Sequence, residues 1–111
     1  MLRVGALLCL GLVLAGCPKP GEGDRAALGF QACQPVIDAL ARYQADTGAY
    51  PASLDALVPA YLPAIPRAVN DHPIEYQRTA ASYRLRFSYE GPGMNRCDFS
   101  PETKWACSGY Y

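Results

Sequence analysis

DTGAYPASLDALVPAYLPAIP, running from Asp46 to Pro66, separates a segment of helical period from one of strand period. Gly48 suits the left-handed residue that ends a helix, and Pro51 forbids continuation. Ser53 can then cap a short second helix, Leu54 to Val58. Pro59, Pro63 and Pro66 keep the next segment extended, and Tyr61, Leu62 and Ile65 can pack as it crosses a surface. So much punctuation in one stretch marks a change of architecture.

Upstream, Gln34 to Asp46 reads as helix. Val36, Ile37, Leu40 and Tyr43 fall at i, i+1, i+4 and i+7, while Asp38, Arg42 and Asp46 take the other faces. Pro35 fits a first helical turn, where its missing N–H costs nothing. The helix could also begin earlier, near Asp24, with a kink at Pro35. Downstream the period becomes two. Ile74 and Tyr76 alternate with Glu75 and Gln77, and Tyr83, Leu85, Phe87 and Tyr89 alternate with Ser82, Arg84, Arg86 and Ser88. Thr79-Ala80-Ala81 would join the two runs as a hairpin, and Gly91-Pro92-Gly93 ends the second. Weaker extended pieces follow near Arg96–Phe99 and Lys104–Cys107. Helix first and meander second predicts an α+β fold, with the Val36/Leu40/Tyr43 stripe laid across the Tyr/Leu/Phe face of the sheet.

The chain has 111 residues, enough for one small domain. Lys plus Arg equals Asp plus Glu at ten each, which argues against a nucleic-acid partner, since that would call for a basic patch. All eight tyrosines lie from Tyr43 onward.

The N-terminus, MLRVGALLCLGLVLAGC, is built like an export signal. Arg3 supplies a short positive region, Val4 to Leu14 is uncharged and apolar, and small residues precede Cys17. The run is shorter than the roughly 17–25 apolar residues a spanning helix needs. Leu14-Ala15-Gly16-Cys17 resembles the lipobox of bacterial lipoproteins. The resemblance implies that residues 1–16 are a signal peptide, that the Cys17 thiol receives diacylglycerol, and that two or more acyl chains then anchor the protein stably. Pro18 stands where, in enteric bacteria, an aspartate favours the inner membrane, so the resemblance points to a lipoprotein of the outer membrane facing the periplasm. CPKPGEGDRAALG, residues 17–29, reads as a lipidated flexible tether, and residues 30–111 as the folded domain.

Of five cysteines, Cys9 falls in the signal peptide and Cys17 is the lipid site. Cys33, Cys97 and Cys107 remain, and an exported protein meets an oxidising compartment. Three single pairings are available. Cys97–Cys107 is favoured because the two bracket a short segment that turns at Pro101. Closing a loop of that size is worth roughly 3 kcal/mol in the chain-entropy model. Cys33 is then either a small buried apolar residue or a partner in another pairing. No metal site and no cofactor emerge. There is no CxxC, and the single histidine, His72, sits in the loop-like NDHP as a solvated turn residue.

A helix ending ALARYQADTGAYP, followed by SLDALVP, a Pro-rich crossing and DHPIEY, resembles the type II secretion pseudopilins, most of all the soluble part of the major pseudopilin. The resemblance covers about residues 34–87 and rests on Asp46, Gly48, Tyr50, Pro51, Leu54, Leu57, Pro66 and Tyr76. It implies a pilin-like ectodomain. The chain departs from that family at its start. Leu28-Gly29-Phe30 mimics the family's Gly-Phe cleavage site, but the fifth residue from Phe30 is Gln34, not glutamate, and no long apolar helix follows. Membrane attachment is thus expected through a lipid. Some family members bind calcium in their late loops. Asn95, Asp98 and Glu102 could supply oxygens, but at no recognisable calcium spacing.

No nucleophile–base pair can be named, so the chain reads as non-enzymatic. The first functional expectation is a lipid-anchored envelope protein that contacts another envelope protein, as an accessory to secretion or pili. Arg84 and Arg86 would meet an acidic partner or form a solvated face. Trp105, Tyr110 and Tyr111 would be binding aromatics, Trp105 equally a packing residue under the disulfide loop. The alternative expectation is a binder of a small ligand or cell-wall glycan, using an exposed Tyr/Trp cluster.

Overall fold

The computed structural model describes residues 19–67, 69–91 and 93–110, with Tyr110 described by its backbone alone. The expected signal peptide, the lipid site Cys17 and Tyr111 lie outside these residues. The elements are helix α1 (Asp24–Thr47), a 3₁₀ turn (Leu54–Leu57), and strands β1 (Glu75–Thr79), β2 (Ser82–Glu90), β3 (Met94–Ser100) and β4 (Lys104–Tyr110). The strands form one antiparallel sheet in the order β1-β2-β3-β4. The fold is α+β, one helix laid on one face of a meander.

Helix α1 begins at Asp24, ten residues before Gln34 and inside the segment expected to be tether. Ala26, Gly29, Cys33, Val36 and Leu40 are all buried, at alternating steps of three and four. That spacing keeps one stripe facing the sheet. Its first half is built of small residues, so it reads as a spacer by composition. Small size is what lets the helix lie close on β2. A Cβ on Gly29 would fall inside the Phe87 ring. Gly29 and Phe30, the pair that mimics a cleavage site, lie within this helix, and Phe30 stacks edge-on against Phe87 at 5.3 Å. The helix also passes through Pro35, so it is one element and not a domain entry at Gln34. An interior proline costs about 3 kcal/mol. Complete burial of Cys33 and Val36 on either side offsets it, since one fully buried aliphatic side chain contributes about 1.5–3 kcal/mol.

The residues before α1 are also folded onto the domain. The Gly21 N–H donates to the Tyr89 hydroxyl at 2.8 Å, and the Glu22 N–H to the Lys19 carbonyl at 2.9 Å. A Cβ on Gly21 would come within 2.9 Å of the Cys107 sulfur. Within the expected tether, Gly21 is therefore packed against the sheet.

At the other end of α1, Gly48 takes the left-handed conformation (φ 90°) and its N–H bonds the Gln44 carbonyl. The second helix is a four-residue 3₁₀ turn rather than an α-helix reaching Val58. Ser53 holds the cap position with extended backbone but makes no side-chain cap bond. Pro59 has no N–H to continue the ladder, so Leu54 and Leu57 hold the turn by burial instead.

In β2 the expected alternation holds, with Tyr83, Leu85, Phe87 and Tyr89 buried. Thr79 pairs with Ser82 around a two-residue Ala80-Ala81 turn. β3 and β4 run longer than the pieces read from sequence. Cys97 and Cys107 face each other directly in that ladder and form the disulfide.

Candidate functional site

The helix covers one face of the sheet and leaves the other open. Register assembles that open face into rows across the strands. One row runs Glu75, Arg86, Asp98 and Ala106, and the next runs Ser88, Arg96 and Ser108. The two rows are electrostatically different. Arg86 lies between two carboxylates. Its Nε and Nη2 donate to the Asp98 oxygens at 2.5 and 3.5 Å, and the bond holds the guanidinium more firmly charged. Arg86 therefore already has a carboxylate partner within the sheet. Arg84 donates only to the neutral Gln77 amide oxygen, at 2.7 Å. Arg96 forms neither an ion pair nor a side-chain hydrogen bond among the described residues, and it stands between two serines.

Two shallow grooves mark this face. One, of about 320 Å³, is lined by Ser88, Met94, Asn95, Arg96, Ser108 and Gly109. The other, of about 250 Å³, is lined by Glu75, Tyr76, Gln77, Arg84 and Arg86. Each contains one guanidinium without a carboxylate partner. A planar fork of donors of this kind takes a carboxylate in bidentate fashion. The sequence reading missed Arg96. Only its period-two relation to Cys97 and Phe99 could have placed it outward, and those strand limits were short.

The residues that carry the pseudopilin resemblance form a second constellation, at the C-terminal end of α1. The Tyr61 hydroxyl donates to Asp46 Oδ2 at 2.8 Å, which raises the Tyr61 pKa. The Tyr76 hydroxyl donates to the Pro51 carbonyl at 2.6 Å. Tyr50 stacks edge-on with Tyr83 at 4.8 Å, and its carbonyl accepts from Arg78 at 3.2 Å. Leu54 and Leu57 are buried beneath, and Pro66 lies half-buried in the crossing that leads to β1. This arrangement ties the helix end, the 3₁₀ turn and β1 together.

Of the aromatics expected at a binding surface, Trp105 is described, and it packs toward the core. Trp105 packs against Phe30, Phe87 and Phe99 at 4.9, 5.4 and 5.3 Å. Tyr43, Tyr50, Tyr61, Tyr76, Tyr83 and Tyr89 all make ring contacts with other aromatics. The Tyr110 side chain and Tyr111 lie outside the described residues. Cys33 is a free thiol, fully buried, with its pKa pushed up to about 12 by that burial.

The three residues named as possible calcium ligands are separated in role: Asn95 and Asp98 lie in β3 and Glu102 in the turn after it. Asn95 is buried, Asp98 is paired with Arg86, and Glu102 accepts from the Ser82 hydroxyl at 2.8 Å. Among the described residues no three His, Cys, Asp or Glu side chains gather in a metal-holding group. His72 is more enclosed than a solvated turn residue. Its Nε2 is closed off from solvent and lies 3.7 Å from a Glu90 carboxylate oxygen. No described helix is long and apolar enough to cross a membrane. No protein-family model matches the chain, and no characterised protein or solved structure matches it.

Proposed function

We propose that this chain is a lipid-anchored protein of the bacterial cell envelope, attached through Cys17, whose pseudopilin-like domain contacts another envelope protein and performs no catalysis. The observation that carries the contact reading is the open sheet face, where Arg84 and Arg96 each line a groove without a carboxylate of their own. An acidic segment of a partner would supply the missing charge. Charged contacts of this exposed kind set orientation and encounter rate more than affinity. The burial of Tyr83 and Tyr89 and the packing of Trp105 on Phe30, Phe87 and Phe99 weigh against the glycan reading, which needs an exposed aromatic platform.

The pseudopilin resemblance makes a secretion or pilus assembly the partner to look for, on the outer membrane's periplasmic side. Cross-linking in intact cells, followed by capture of the tagged lipidated protein and mass spectrometry, tests this. Secretion or pilus subunits that cross-link to wild type and are lost from R84E/R96E support the proposal. Cross-links confined to other lipoproteins or cell-wall material, unchanged by the charge reversals, refute it.

A further inference from the structure

The anchored end of the domain has its own chemistry. Lys19 is separated from Cys17 by one residue, so its Cα lies at most about 7 Å from that of the lipid-bearing residue. Residues 19–22 are not slack either, because Gly21 is held by the Tyr89 hydroxyl and sits against Cys107. The described chain is therefore fixed to the domain at Gly21, four residues after Cys17.

What surrounds that point follows from the antiparallel run of α1 over β2. The Arg25 side chain donates to the Glu90 carbonyl, and Gly29 abuts Phe87, so the helix start lies over the end of β2. The β2–β3 turn, with Met94 opposite Glu90, is at the same end. Among the described residues, the two exposed large hydrophobics are Leu28 (53% exposed) and Met94 (38% exposed). Both lie at this end. Leu28 is about 6 Å along the axis from the start of α1, and Met94 opens β3. The charged side chains at this end, Lys19, Arg25, Glu22, Asp24 and Glu90, include both signs and leave one net negative charge.

We infer that the domain sits directly on the bilayer by this end, with Met94 and Leu28 entering the headgroup boundary and the Ala80-Ala81 turn held away from the membrane. The inference rests on the lipid-anchor reading of Cys17. Apolar side chains at such a boundary sink roughly 5–10 Å. With no excess of basic side chains at this end, seating depends on the short connection and the apolar contacts. It therefore needs no anionic lipid.

The test uses the acylated full-length protein in phosphatidylcholine vesicles. An environment-sensitive fluorophore is attached at M94C or, separately, at A81C. Cys33 is buried and Cys97–Cys107 closed, so labelling is selective. Shallow nitroxide lipids should quench the label at 94 several-fold more than the label at 81. A ten-residue Gly/Ser insertion after Pro18 should abolish that difference. Equal, weak quenching at both sites in protein that still floats with vesicles overturns the seating while leaving the anchor intact. Flotation unaffected by C17S, or absent in wild type, removes the anchor reading and the seating with it.

Discussion

At the scale of single residues, the fold depends on side chains that are small or oddly placed. Gly29 is the sharpest case. Alanine is the better helix former by about 1 kcal/mol, yet at this position its methyl would enter the Phe87 ring. Overpacking of that kind costs about 1–3 kcal/mol. G29A should thus be neutral to destabilising by about 2 kcal/mol net, the reverse of its effect in an exposed helix; the urea midpoint at unchanged m-value reads this. Tyr76 carries one hydrogen bond across the motif, to the Pro51 carbonyl. Y76F should cost about 1 kcal/mol, because the ring stays packed and only the bond is lost. Neither role is visible in sequence. Gly29 sits in a segment that reads as spacer, and the partner of Tyr76 lies 25 residues away.

At the scale of elements, the disulfide and the helix follow different rules. Cys97 and Cys107 close a short loop within one hairpin, a pairing legible from spacing and the intervening proline. C97A/C107A should lose roughly 3 kcal/mol, measured as the fall in unfolding free energy against the oxidised parent. For α1 the sequence left two starts open, Gln34 and Asp24, and the structure has the earlier one. A stripe of Ala26, Gly29 and Cys33 has the right period but little hydrophobicity, so the apolar pattern alone is clear only from Gln34 onward. The opposite error occurs at Leu54–Leu57, where the capping signal promises more helix than Pro59 permits.

At the scale of the whole molecule, the buried thiol and phenols make stability depend on alkaline pH. Burial raises Cys33 from its ordinary value near 9 to about 12 and Tyr76 from near 10 to about 12, and it raises Tyr83 as well. Between the ordinary and raised values the unfolded chain has released protons that the folded chain retains. Stability is therefore full below pH 9 and falls as pH rises toward 12. Urea titrations from pH 7 to 11 should show this decline. C33A should flatten its first part, between pH 9 and 10, and leave the part due to the tyrosines. A thiol reagent at neutral pH should find Cys33 only after unfolding. The packing of residues 19–22 also belongs to this scale. It turns an expected tether into part of the domain and gives the molecule a defined anchored end.

The sequence by itself determined the class of the fold, the switch from helix to strand and the two faces of β2. These depend on period and on Gly and Pro, which act within a few residues of themselves. The tertiary structure alone decided which arginines are compensated, where the tyrosines point and which of the two helix starts is taken. Arg86 meets Asp98, and Arg96 meets two serines, only through the register of three strands. Small residues become core only when a particular ring, here Phe87, is brought against them. Contacts between distant segments hold that information, and no local pattern encodes it.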